Sequence, residues 1–390
     1  MSWSHLAGTR AAAVLVLVVA AGQPTAATSA AAIPHPRVFT SGEGGYHCFR
    51  IPALVRTEDG ELLAFAEGRM HDCDDTGRID TVLKRSSDGG RHWGRIEMVS
   101  DGRGDTRGNP VPLVDRASGR ITLLTTHNPG PQCGPNSTRC VRTPYRQHSL
   151  DNRGLRWSRP EPLAHLVPAS PGWFATGPGH GLQLTRGAHA GRMVVGVNHT
   201  GGAALVLSDD AGRSWRLGAR TPNGRGQVIQ ELNLLERVDG AVYAAARNNN
   251  GGKDGTDNRL AAVSADAGAS FTQGFGVVPD LAGPVVQGSV VRLRATTAGD
   301  RQDKVVFAGP YNNRPGDGIG THRRHTMRLR VSTDEGRTWQ RAGTVVDAAW
   351  AGYSDLVNLG GGALGVLYEA GTRTATEEIR YARVGEGRLG

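Results

Sequence analysis

The chain has 390 residues, with 45 Lys and Arg against 36 Asp and Glu, for a net charge of +9. Only Lys84, Lys253 and Lys304 are lysines, the other basic residues are scattered arginines, and no polybasic block or nucleic-acid motif occurs. The excess charge therefore reads as arginine-rich composition, and nucleic acid is excluded as a partner.

Arg10 precedes an apolar core, Ala11 to Ala21, followed by a small-residue tract from Ala26 to Ala32. That order is the pattern of a secretory signal, and the core is shorter than the roughly 20 apolar residues a membrane span needs. Residues 1–32 are expected to be a signal peptide and processing region. Residues 33–390 are expected to be one exported domain with no membrane insertion. Four cysteines in an oxidising compartment allow three pairings. Cys133 and Cys140 bracket the short loop Gly134 to Arg139, which favours a local bond and leaves Cys48 for Cys73.

Phe49-Arg50-Ile51-Pro52 sets an arginine in an apolar, strand-like run continued by Ala53-Leu54-Val55. A guanidinium buried there cannot shed its proton and needs an anion.

Further along, the pattern Ser-x-Asp-x-Gly-x-x-aromatic recurs. It starts at Ser86, Ser208, Ser264 and Ser332 and ends at Trp93, Trp215, Phe271 and Trp339. A copy with one extra residue runs from Ser149 to Trp157. In each, Ser and Asp can bond the backbone of a hairpin turn, Gly supplies a positive φ, and the ring packs beneath. β-rich runs such as Thr81-Val82-Leu83 and Ala204-Leu205-Val206-Leu207 precede the boxes, and helical periodicity is scarce. Spacings of roughly 60 residues give about six units, each long enough for a four-stranded antiparallel blade. The expected fold is an all-β, six-bladed β-propeller filling the mature chain, with architectural boxes and a ligand at its axis.

Phe49-Arg50-Ile51-Pro52 joined to five such boxes resembles the bacterial sialidases (exo-α-neuraminidases) over residues 37 to 385. The resemblance implies that three arginines hold the substrate carboxylate. Arg50 is the first and Arg247, in Ala244-Ala245-Ala246-Arg247-Asn248, the second. The third is Arg324, with neighbouring Arg323 as the alternative. It further implies Tyr353, in Ala351-Gly352-Tyr353-Ser354-Asp355, as a neutral nucleophile that avoids repulsion from that carboxylate. Glu231, in Gln230-Glu231-Leu232-Asn233, would be its base.

Asp75, in the acidic loop Asp72-Cys73-Asp74-Asp75-Thr76-Gly77, would protonate the leaving group, with Asp74 as its rival. Arg69 would seat the carboxylate or the C4 region of the sugar, and Glu369 would brace Arg50. A Cys48–Cys73 bond would hold the acidic loop near Arg50. Trp173 to Gly181 also resembles the family, without an assigned catalytic role.

No metal or cofactor is expected, and the histidines are read as structural or surface residues. Asn136 and Asn198 head Asn-x-Ser/Thr sequons to which no weight is given. The implied activity is retaining exo-α-sialidase hydrolysis by a secreted monomer acting on sialylated glycoproteins, glycolipids or oligosaccharides. A trans-sialidase, a sialic-acid-binding propeller without turnover, and a hydrolase for another nonulosonic acid are the alternatives.

Overall fold

From Ile33 onward, the described residues form short β-branched runs cut by Gly, Asp and Pro, which favour strands over helix. The computed structural model describes residues 1–3, 8, 32–130, 133, 140–167, 172–250, 258–311 and 324–389. Among these there are 24 strands and a few 3-10 turns, with no α-helix. Among the described residues, no helix is long and apolar enough to cross a membrane.

The strands follow one another as antiparallel ladders. After β1 (Arg37–Thr40) come β2 (Cys48–Arg56), β3 (Leu62–Arg69), β4 (Ile79–Ser86) and β5 (Glu97–Ser100). Next are β6 (Thr106–Val114), β7 (Ile121–Asn128), β8 (Thr143–His148) and β9 (Glu161–Pro162). One parallel bridge, Ile79 to Thr106, joins these two groups into an 8-stranded sheet. A 5-stranded sheet holds β10 (Phe174–Thr176), β11 (Leu182–Gln183), β12 (Met193–His199), β13 (Gly202–Ser208) and β14 (Arg216–Pro222). A 4-stranded sheet holds β15 (Ile229–Glu236), β16 (Val242–Asn248), β17 (Asn258–Ser264) and β18 (Gly276–Ala282).

The last sheet has 7 strands. They are β19 (Ser289–Arg294), β20 (Lys304–Pro310), β21 (His325–Ser332), β22 (Thr344–Gly360), β23 (Ala363–Gly371), β24 (Glu378–Gly385) and β1. The 17-residue β22 pairs with β21 through Thr344–Trp350 and with β23 through Trp350–Gly360. Because β24 closes on β1, the two ends of this unit are tied side by side.

Each Ser-x-Asp box is the hairpin between a third and a fourth strand. In the Ser208 copy, Ser208 Oγ accepts the Gly212 N–H at 2.9 Å and donates to Asp210 Oδ1 at 2.8 Å. Asp210 Oδ1 also accepts the Ser214 N–H at 2.8 Å, and Trp215 Nε1 donates to the Gly212 carbonyl at 3.1 Å. The sequence reading gave the left-handed conformation to glycine alone. In fact the preceding residue shares it: Ala211, Ala267 and Glu335 have φ of 57, 56 and 64°. Two consecutive left-handed residues match the right-handed twist of the flanking strands, and the Ser–Asp bonds hold a side chain where one is disfavoured. No box joins β24 to β1, since these strands come from opposite ends of the chain.

Apolar side chains fill the spaces between successive strand groups. Ala53, Leu63 and Phe65 meet Ile121 and Leu123, and Val111 and Leu124 meet Phe174 and Met193. Leu205 and Leu207 meet Leu232 and Val242, and Leu235 and Tyr243 meet Val290 and Phe307. Val306 and Leu329 meet Leu356 and Val366, and Leu367 and Tyr381 return to Phe49 and Leu54. With about 1.5–3 kcal/mol for each fully buried large side chain, these seams dominate the stability.

Candidate active site

The strands that begin successive groups share an irregularity. The ladder slips between Arg50 and Ala53, between Gly108 and Val111, between Gln230 and Asn233, and between Ala351 and Ser354. At three of these bulges a non-glycine residue is left-handed: Ile51 at 58°, Asn109 at 53° and Glu231 at 48°. A bulge frees one N–H from the ladder, and a buried N–H needs another acceptor. A side chain of the preceding group supplies it each time. Glu369 Oε1 takes the Ile51 N–H at 2.9 Å, Glu67 Oε1 that of Asn109 at 2.8 Å, and Asn198 Oδ1 that of Glu231 at 3.1 Å. Glu369 Oε2 also takes the Tyr353 N–H at 3.0 Å. That approach requires Gly352, where a Cβ would collide with the same oxygen.

These bulges turn side chains from distant parts of the chain toward one another. Arg50 lies against fully buried Glu369 in a two-pronged ion pair, Nε to Oε1 at 3.1 Å and Nη2 to Oε2 at 3.2 Å. The guanidinium carbon of Arg50 sits 5.0 Å from the centre of the Tyr353 ring. That of Arg324 sits 5.8 Å away, and Arg324 Nη2 donates to the Val285 carbonyl at 2.9 Å. Tyr353 Oη donates a short hydrogen bond to Glu231 Oε1. Arg247 Nη1 reaches both Glu231 Oε2, at 2.9 Å, and Tyr353 Oη, at 3.2 Å. Tyr353, Glu231, Arg247, Arg50, Arg324 and Glu369 thus form one constellation. Arg323 lies outside the described residues.

Burial pushes the Tyr353 phenol well above its ordinary pKa, Glu231 adds to this, and the three arginines oppose it. Tyr353 is therefore neutral at physiological pH and needs a proton acceptor to act as a nucleophile. Arg50 is driven the other way: burial lowers its pKa, but Glu369, Tyr353 and Asp75 outweigh that and raise it.

Asp75 stands at the rim with its side chain 52% exposed, Oδ1 at 2.9 Å from Arg69 Nη2 and 3.6 Å from Arg50 Nη1. Burial raises its pKa, yet Arg69 and Arg50 prevail and hold the carboxyl below the usual carboxylate range. Arg69 is itself fixed by Glu67, at 2.5 Å, and by the Cys73 carbonyl. Asp74 is exposed, and its N–H bonds Asp72 Oδ1 at 2.9 Å. Of the two rivals, the geometry brings only Asp75 to the arginines. Disulfides join Cys48 to Cys73 and Cys133 to Cys140, and the first tethers the acidic loop to the strand carrying Arg50.

Sequence reasoning missed two residues of the site. Asn198, seen only as a sequon, is buried beside Glu231, and Asn136 lies outside the described residues. Asp355, two positions after Tyr353, accepts the N–H groups of Leu54 at 2.8 Å, His180 at 2.7 Å and Leu356 at 3.0 Å. It also pairs with His180 Nδ1 at 2.7 Å, so His180 is a structural histidine whose pKa is raised. Burial opposes that shift, and the facing carboxylate outweighs it. An acidic residue inside an apolar strand was the available signal for Asp355. No cluster of three metal-ligating side chains occurs among the described residues.

Comparison with known proteins places the chain in a family. A family model described as a BNR repeat-like domain matches residues 60–366. A sialidase of Micromonospora viridifaciens is 32% identical over 97% of this chain and 59% of its own length, so the chain spans well under two thirds of that relative. An exo-alpha-sialidase of Aspergillus fumigatus is 30% identical over 84% of this chain and 79% of its own. Among solved structures, the Hadza microbial sialidase Hz136 superposes with a TM-score of 0.76 at 22% identity, covering 91% of this chain and 69% of that one. The fold is accordingly β-propeller-like, and the chain belongs to the sialidase family of glycoside hydrolases.

Proposed function

We propose that residues 33–390 form a secreted, six-bladed propeller acting as a retaining exo-α-sialidase, with residues 1–32 as its export signal. Six apolar seams, the last returning to the first strand group, support the blade count. In this reading the 8-stranded sheet is two blades linked by one bridge, and the 7-stranded sheet is two blades sharing β22.

The observation that carries the chemistry is the Tyr353–Glu231–Arg247 contact beside Arg50 and Arg324. The arginines clamp the substrate carboxylate, for which paired guanidinium donors suit both oxygens. Tyr353 Oη attacks the anomeric carbon while its proton passes to Glu231, and the bond to the aglycone oxygen breaks as Asp75 gives that oxygen a proton. Water then attacks the same carbon with the Asp75 carboxylate as base, and Tyr353 leaves, recovering its proton from Glu231. Two displacements retain configuration.

Asp75 must be protonated for the first step, although Arg69 and Arg50 favour its anion. A bound substrate carboxylate neutralises part of that field, which raises the proton affinity of Asp75 as the complex forms. Wild-type protein, Tyr353→Phe and Asp75→Ala are to be assayed on a natural sialoside and on an aryl sialoside. The reading predicts release of free sialic acid by wild type and loss of turnover on the natural substrate in both variants. Full activity of either variant on the natural sialoside contradicts the assignment. Product analysis with excess lactose distinguishes hydrolysis from transfer.

A further inference from the structure

One buried residue that the reaction leaves unexplained is Arg259. The β16–β17 ladder pairs Ala246 with Leu260, and its next step sets Arg259 beside Arg247, two like charges on neighbouring strands. Arg259 is 6% exposed, with its guanidinium 5.1 Å from the centre of the Phe307 ring. Among the described residues, its Nε and Nη2 are buried without a hydrogen-bond partner. Burial pushes its pKa down to about 10, with Glu231 opposing and Arg247 adding to the shift. A cation buried in this way costs stability, so stability alone does not account for it.

Its hydrogen bond to the described residues suggests why it is kept. Arg259 Nη1 donates to the Val286 carbonyl at 2.5 Å. The Val286 side chain packs in a small buried cluster whose other members are Ile51 and Tyr353. The neighbours of Val286 are gripped as well: the Val285 carbonyl by Arg324, and Gln287 Oε1 by the Ser354 N–H at 3.0 Å. Three contacts on three consecutive residues turn this segment into a rigid wall against the tyrosine ring. Such support matters because a nucleophile displaced by about 1 Å can lose about a hundredfold in rate.

We propose that Arg259 is a positioning residue for the nucleophile, acting through the Val286 carbonyl to hold the Val286 side chain against Tyr353 and so keep Tyr353 Oη between Glu231 and Arg247. This rests on Tyr353 being the nucleophile, and wild-type turnover of a sialoside is the control for that reading. Without it the functional assignment fails first, independently of Arg259.

The test compares kcat, KM and the thermal midpoint of Arg259→Met, Arg259→Lys, Val286→Ala and the Arg259→Met/Val286→Ala double variant. Arg259→Met should lose at least about tenfold in kcat with KM within about threefold, while its thermal midpoint holds or rises because a buried unpaired charge is gone. Arg259→Lys, which retains a donor for the carbonyl, should recover much of kcat. The double variant should be no slower than its slower parent, since both changes break one support. Wild-type kcat in Arg259→Met overturns the proposal, as do single losses that multiply in the double variant. If Arg259→Met does not fold, Val286→Ala decides: lower kcat at unchanged KM supports the proposal, and wild-type kcat overturns it.

Discussion

The box hairpins and the strand-entry bulges both hold residues in left-handed backbone, yet they secure them in opposite ways. A box closes on itself: Ser208, Asp210, Gly212 and Ser214 bond one another across at most a few residues. A bulge is secured from the neighbouring group: Ile51 by Glu369, Asn109 by Glu67 and Glu231 by Asn198. Local closure repeats wherever the same short pattern occurs, so it builds architecture. Remote closure exists only once neighbouring strand groups have packed together. There it can support strained residues that point reactive side chains at one another. Stability and chemistry are thus separable in this molecule, and four substitutions probe the separation.

The largest effect belongs to Tyr353→Phe, which removes one oxygen from the constellation and leaves the ring packed against Val286 and Ile51. Turnover of a natural sialoside should fall by at least about 10³-fold, with a thermal midpoint close to that of wild type. Asp75→Ala should follow, losing about 10²–10⁴-fold on a natural sialoside and much less on an aryl sialoside whose leaving group needs no proton. The sign for pH is fixed by the role: an acid works when protonated, so kcat falls as pH rises through the Asp75 pKa of the complex. That limb should appear with the natural sialoside and be weak or absent with the aryl sialoside.

Glu369→Gln breaks both sides of the comparison together. It leaves Arg50 without its buried counter-charge and weakens the acceptor for the Ile51 and Tyr353 N–H groups. About 3–5 kcal/mol of stability should be lost, measured by chemical denaturation, together with most carboxylate affinity. Asp210→Ala should be the mildest. It removes a local hairpin brace worth about 1–2 kcal/mol, so the thermal midpoint drops by a few degrees while kcat and KM stay at wild-type values.

How much of this was legible in the chain follows the same division. The boxes and the short strands can be read directly, because each signal lies within one short stretch. Arg50 was legible as a charge with no local excuse, and Glu369 only through the family pattern, since 319 positions separate the two. Asp75 was ranked over Asp74 only by the family resemblance, because adjacent turn positions differ only in where the backbone aims them. Asn198, Asp355 and Arg259 stayed hidden for another reason. Their residue types are common on surfaces, and what distinguishes them is burial against strands far away in sequence. The second left-handed position in three boxes was also missed, because Ala211, Ala267 and Glu335 carry none of glycine's permissiveness.

The central claim is that Tyr353 becomes covalently bonded to the sugar. A 3-fluorosialosyl fluoride, whose ring fluorine slows the second displacement, should trap that species for peptide mass spectrometry. The account predicts one sialosyl adduct on Tyr353 Oη in the wild-type protein and none in Tyr353→Phe. An adduct on Glu231 or Asp75, or turnover with no adduct on any residue, would contradict it.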